Sequence, residues 1–212
     1  MTVERPPAGP HDRCLLCAQG GCSGIGLGIA QKCMAEGVRG LVIGDLNPAD
    51  LEETAEALGA LGPGEVVTVA IDAGKLEDVQ RLLDVTLSNF GGVNLAFFNA
   101  GVGGREGSNT VLDANIEAWE WVEAVNFWGV LYGCKLFGRF MADAAIADGT
   151  PAHIVNTASL AGLIGGGMGA YSTSKHSVVA ITEKLVSVRT RSHGQQHFFG
   201  PSCVAQMTAA IS

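Results

Sequence analysis

Short apolar runs alternate with amphipathic helical stretches along this chain, and that alternation restricts the folds open to it. "CLLCA" leads into a glycine-rich turn. "SGIGLGIAQKCMAEG" then has helical spacing, with Ile25, Ile29, Cys33 and Met34 on one face and Gly37 as a stop. "GLVIGD" is a second apolar run. "NPADLEETAEALGALG" reads as a helix with Asn47 as cap, Pro48 in the first turn and Gly62 past the end. "EVVTVAID" is a third strand, "KLEDVQRLLDVTLSNFGG" a helix and "NLAFFNAG" a fourth strand. Residues 114–146 carry two helical segments, in which Ile116, Trp119 and Val122 are spaced to share a face. "HIVNTAS" is a fifth strand and "AYSTSKHSVVAITEKLVSV" a helix with a Ser/Thr-rich start. Strands joined by helices must run parallel, so the expected class is α/β, a doubly wound parallel sheet in one domain.

Bulk properties narrow the partners. The 212 residues are 47% apolar and 16% charged, enough to bury one sizeable core. A net charge of −8 argues against nucleic acid or an anionic membrane as the main partner, since both select a basic surface. "MTVERPPAGPHDR" lacks the apolar core of a secretory leader, and no run of ~20 apolar residues suggests a membrane span. These features point to the cytoplasm. Of the six cysteines, Cys14 and Cys17 form a C-x-x-C. That is either a redox pair or half a metal site, or filling in a buried strand. With no second C-x-x-C and no His-x-x-x-His, strand filling and no metal site are expected.

The chemistry-bearing residues fall at the ends of the strands, where open parallel sheets bind ligands. Gly20, Gly24 and Gly26 follow the first strand and open the first helix, where backbone can approach a pyrophosphate and free N–H groups can meet it. Asp45 closes the second strand, placed to accept hydrogen bonds from an adenosine ribose and to repel a 2′-phosphate; its alternative is a turn or cap residue. Tyr171 and Lys175, in "YSTSK", share a helix face at i and i+4. A free phenol titrates near ~10 and is a poor proton donor–acceptor at neutral pH, and a neighbouring ammonium favours its phenolate. Ser159 closes the preceding strand and can donate to a substrate oxygen.

Taken in order, the glycine turn at 19–26, Asp45, Asp72 in "VAID", "NAG" at 99–101, Asn126 in "VNFWG", Ser159 and "YSTSK" resemble the short-chain dehydrogenase/reductase family across residues 14–186. The resemblance implies a Rossmann-like fold and an NAD(H)-dependent oxidoreductase acting on an alcohol or carbonyl. It implies Tyr171 as general acid or base, Lys175 as support for Tyr171 and holder of the nicotinamide ribose, and Ser159 as the group that polarises the substrate oxygen. Asn126 would fix a helix irregularity and a relay water, completing the catalytic set. Gly20, Ser23, Gly24, Ile25, Gly26, Asp45, Asp72, Asn99, Ala100, Gly101, Tyr171 and Lys175 would bind the cofactor, with Asp72 at the adenine. Asp45 would make NAD the carrier in preference to NADP. The helices at 114–146 and 171–186 would form a homodimer or homotetramer.

The chain departs from the family pattern in four places. Gln19 stands where a threonine is usual. Phe98 replaces the first asparagine of "NNAG". Ser159 and Tyr171 are 12 residues apart, one short of the usual spacing, which Gly165–Gly167 can absorb. The end departs most: after Glu183 there is no acidic residue and no Val/Ile-rich strand. The expected organisation is a polar tail at 1–13, a dinucleotide-binding catalytic domain at 14–186 and an atypical segment at 187–212, with the last strands missing or irregular. That segment is either a surface extension or foreign to the fold. Beside the enzyme stands an alternative: a truncated or non-catalytic relative keeping at most dinucleotide or partner binding.

Overall fold

The computed structural model describes residues 15–148, 151–164, 168–186, 189–192, 195–198 and 204–206. The strands are β1 (Leu15–Gln19), β2 (Gly40–Asp45), β3 (Glu65–Ala70), β4 (Leu95–Phe98) and β5 (His153–Thr157). Between them run the helices α1 (Gly24–Ala35), α2 (Pro48–Gly59), α3 (Leu76–Phe90), α4 (Ile116–Glu123) and α5 (Gly129–Asp148), and α6 (Ala170–Val186) follows β5. A π-helical turn, Ala124–Trp128, joins α4 to α5. The sheet order is β3-β2-β1-β4-β5, every pair parallel, so the order reverses direction between β1 and β4. That switch point opens a crevice at the carboxyl ends of both strands.

Successive strand residues face opposite sides, and each side has its own core. Cys17, Val42, Ile71 and Phe98 pack with Leu82 of α3, Phe137 and Met141 of α5 and Val178 of α6. Ala18, Leu41, Ile43 and Phe97 pack with Ala30 and Met34 of α1 and Leu51 and Leu58 of α2. Asn47 caps α2 as expected, its side chain accepting from the Ala49 N–H.

Two expected faces are shifted. In α1 Met34 is buried and Ile29 and Cys33 pack against the core as expected, but Gly26 and Ala30 join the buried face and Ile25 is exposed. The glycine turn brings the helix so close to the sheet that its smallest residues must face inward. In α4 the buried residues are Ala118 and Val122, and Ile116 lies in solvent. Phe98 also has an ordinary explanation. Its ring is fully buried and meets Phe137 edge-on, centroids 5.4 Å apart, so it fills the core instead of lacking a polar contact.

After residue 186, β6 (Arg189–Ser192) and β7 (Gln195–Phe198) form an antiparallel ribbon, and β8 (Val204–Gln206) pairs in parallel with β5. The absence of a Val/Ile-rich run argued against a strand here. A three-residue strand forms here through main-chain pairing with β5, and three residues are too few to read as an apolar run. Cys14 and Gly165–Gly167 lie outside the described residues. Cys17 is core filling: burial pushes its thiol up to about 12. Among the described residues no cluster of His, Cys, Asp or Glu suits a metal ion, and no helix is long and apolar enough to cross a membrane.

Candidate active site

A cavity of about 900 Å³ runs along the carboxyl ends of β1–β5. At one end the chain leaves β1 through Gly20 (φ +72°). A Cβ there would lie 2.8 Å from the Ala100 Cα, and a Cβ on Gly26 would strike the Gly20 carbonyl oxygen. Only glycine permits this closeness of turn, helix and β4 loop. The first backbone bond of α1 runs from the Leu27 N–H to the Ser23 carbonyl. The amides before it are those a helix leaves without an internal partner, at its positive dipole end. The cradle fits a diphosphate.

Asp45 is held at the cavity's edge. Its carboxylate accepts from the Cys22 N–H (3.0 Å) and the Leu46 N–H (2.7 Å). Each oxygen keeps a further lone pair for a ligand hydroxyl. The Cys22 thiol is pushed up to about 11, chiefly by burial, with the Asp45 charge adding to it, so it is no ready thiolate. Asp72 lines the cavity while closing its own turn. Its carboxylate accepts from the Gly74 N–H (3.0 Å) and faces the Lys75 ammonium at 3.6 Å.

The middle is tied together by side chains. Asn99 donates from Nδ2 to the Gly20 carbonyl (3.1 Å) and accepts at Oδ1 from the Thr157 hydroxyl (2.9 Å). Lys175 donates from Nζ to the Thr157 carbonyl (2.7 Å). One chain of hydrogen bonds therefore joins the glycine turn, β4, β5 and α6. Asn126, fully buried in the π-turn, accepts at Oδ1 from the Val102 N–H (2.7 Å) and donates from Nδ2 to the Val102 carbonyl (3.0 Å) and the Ser174 hydroxyl (3.1 Å). Ser174 in turn donates to the Tyr171 carbonyl (2.7 Å).

At the far end Ser159, Tyr171 and Lys175 line the same cavity. Ser159 Oγ accepts from the Ala161 N–H (3.2 Å), which leaves its own hydrogen free to donate. Lys175 Nζ lies 5.7 Å from the Tyr171 ring centroid. With 3% of Lys175 exposed, burial pulls its ammonium down to about 8. Gly20, Ser23, Gly24, Ile25, Asp45, Asp72, Asn99, Ala100 and Gly101 line the cavity with them. Gly26 stands behind the turn and Asn126 behind the β4 loop. Thr157 and Ser174 were not singled out from sequence. Their signal is positional: one closes β5 and the other lies between Tyr171 and Lys175.

The family model for short chain dehydrogenases matches residues 16–192. The chain belongs to the short-chain dehydrogenase family. Among its relatives in this family, cyclohexanol dehydrogenase of Acinetobacter sp. (strain SE19) is 34% identical over 77% of this chain and 62% of its own length. Sex determination protein tasselseed-2 of Zea mays is 35% identical over 82% of this chain and 50% of its own. A short chain dehydrogenase/reductase from Burkholderia phymatum, solved in complex with NAD, superposes with a TM-score of 0.76 at 38% identity, covering 85% of this chain and 61% of that one. The chain thus spans less than two thirds of the length of these relatives.

Proposed function

We propose that this chain is a cytoplasmic oxidoreductase that moves a hydride between NAD(H) and an alcohol or carbonyl substrate, with Tyr171 as general acid or base. The observation that carries the reading is the joint placement, in one cavity, of the glycine cradle, Asp45, Ser159, Tyr171 and Lys175. The bound dinucleotide supplies or takes the hydride. Gly20, Gly24 and Gly26 shape the diphosphate seat, with Ser23 and Ile25 in the same turn. Asp45 accepts the adenosine ribose hydroxyls and disfavours a 2′-phosphate, so NAD is preferred over NADP. Asp72 meets the adenine, and Asn99, Ala100 and Gly101 hold the β4 loop against the cofactor.

In carbonyl reduction Ser159 donates a hydrogen bond to the substrate oxygen and Tyr171 delivers the proton; oxidation runs in reverse. Lys175 steadies negative charge on the Tyr171 oxygen and holds the nicotinamide ribose. Asn126 keeps the π-turn and the β4 loop in register and positions a relay water. Val102, Trp121, Leu160, Ala161, Ile164 and Met168 line the substrate side. That wall suits an uncharged, largely apolar alcohol or ketone, in keeping with the cyclohexanol named for one relative. The catalytic domain covers 14–186, and α4–α6 are the faces of a homodimer or homotetramer.

The test is NADH binding by fluorescence, followed by turnover on secondary alcohols and ketones, with Tyr171→Phe beside the wild type. Binding with turnover that Tyr171→Phe lowers by ~10²–10⁴ supports the reading, that being the usual share of a general acid. A wild type that binds no NADH sinks it. The alternative is a relative that binds dinucleotide or partners without turnover. Binding with no turnover would select it.

A further inference from the structure

Gln19 is a buried residue whose side chain the site leaves unused. It is 1% exposed, and neither its Oε1 nor its Nε2 has a hydrogen-bond partner. Among the described residues Glu123 is the other case, with one unpartnered buried oxygen, and it does not line the cavity. Gln19 does line it. An amide shut from water without a partner is costly and uncommon in native proteins, so a missing partner is the first explanation to seek.

The strand register shows what surrounds Gln19. Gln19 closes β1, level with Gly44 of β2 and Phe98 of β4. It faces the same side as Cys17, two residues earlier. Gly44 has no side chain, and the place its Cβ would take is filled by Ile71 and Leu82, so the Gln19 amide finds no partner on that side. Gly44, Ile71, Asp72 and Ala73 line the same cavity, at the end that the proposed function gives to the adenosine. A glutamine has the torsional freedom to carry its amide from the closed position into the cavity that Gln19 lines. A threonine, two heavy atoms shorter, has not.

We propose that Gln19 is a further ligand-contacting residue: its amide turns into the cavity and hydrogen-bonds the adenosine-diphosphate half of the bound dinucleotide. The proposal rests on the dinucleotide reading above. The dinucleotide supplies the hydrogen-bond partner that the protein itself does not give this amide.

Calorimetry with ADP as probe tests it on the full chain, with NADH fluorescence alongside and the ligand-free melting temperature as control. Gln19→Met keeps the length and removes the hydrogen bonds. Its ligand-free melting temperature should equal or exceed that of the wild type, while ADP and NADH bind ~10-fold more weakly, the scale of one hydrogen bond to a charged group. Gln19→Thr, which cannot reach, should weaken ADP similarly and serves if the methionine variant folds poorly. ADP affinity within about twofold of wild type in the folded variant overturns the proposal and leaves the dinucleotide reading standing. Failure of the wild type to bind either ADP or NADH overturns both.

Discussion

The Lys175 ammonium donates a 2.7 Å hydrogen bond to the Thr157 carbonyl, which anchors the charged end of α6 to the last residue of β5. The bond keeps a buried cation at the cavity wall, beside Tyr171, instead of letting it reach toward solvent.

Burial pulls Lys175 down to about 8 from its ordinary 10.5. Between those values the unfolded chain carries a proton that the folded chain has lost. Stability attributable to this group therefore rises with pH from about 8 to 10.5 and is lowest below that window. Cys17 and Cys22, raised by burial, work the other way once unfolded thiols ionise above 9.0. The wild type minus Lys175→Met difference cancels the thiols. Urea denaturation across the window should show it moving in favour of the wild type. A flat difference would mean that Lys175 is not desolvated.

Asn126 completes three hydrogen bonds from inside the π-turn. Asn126→Ala strands the Val102 amide and carbonyl. The expected loss is about 1–3 kcal/mol in chemical denaturation, the range for buried groups left unpaired. Asn126→Asp keeps the acceptor and loses the donors, so it should fall between wild type and alanine near neutral pH only if the Val102 N–H bond matters most.

Asp45 lines the cavity, and in the proposed function its charge meets the adenosine ribose. Asp45→Asn removes the charge and leaves an acceptor. NADPH affinity relative to NADH should rise ~10-fold or more, a modest share of the repulsion between close like charges near a surface. An unchanged ratio of dissociation constants would show that Asp45 does not read the ribose.

Phe98 belongs to the core. Phe98→Ala should cost about 3–5 kcal/mol of stability, as large aromatic truncations do. Phe98→Asn, which restores the usual family residue, should cost at least as much, because its amide would be buried against Phe137. Equilibrium unfolding separates this from a binding role, since the folded fraction should bind NADH with wild-type affinity.

The order of strands and helices in residues 15–186 was legible because hydrophobic period and turn residues are local properties. The site was legible for a related reason: glycines, an acid at a strand end and a Tyr-x-x-x-Lys helix turn each take their place from local geometry and strand order. What required the tertiary structure was everything set by neighbours distant in sequence. Of the expected α1 face, Met34 is buried and Ile29 and Cys33 pack on the core, yet the close approach at Gly20 and Gly26 turned Gly26 and Ala30 inward and left Ile25 in solvent. The sequence shows only that Phe98 stands where the family has an asparagine; its register against β1 and its packing on Phe137 place it in the core. The strand β8, Val204–Gln206, is too short to stand out as an apolar run and exists through main-chain pairing with β5. Gln19 began as an odd residue before a glycine. Its meaning lies in the absence of any partner for its amide, and only the packed arrangement of β1, β2 and β4 around it could decide that.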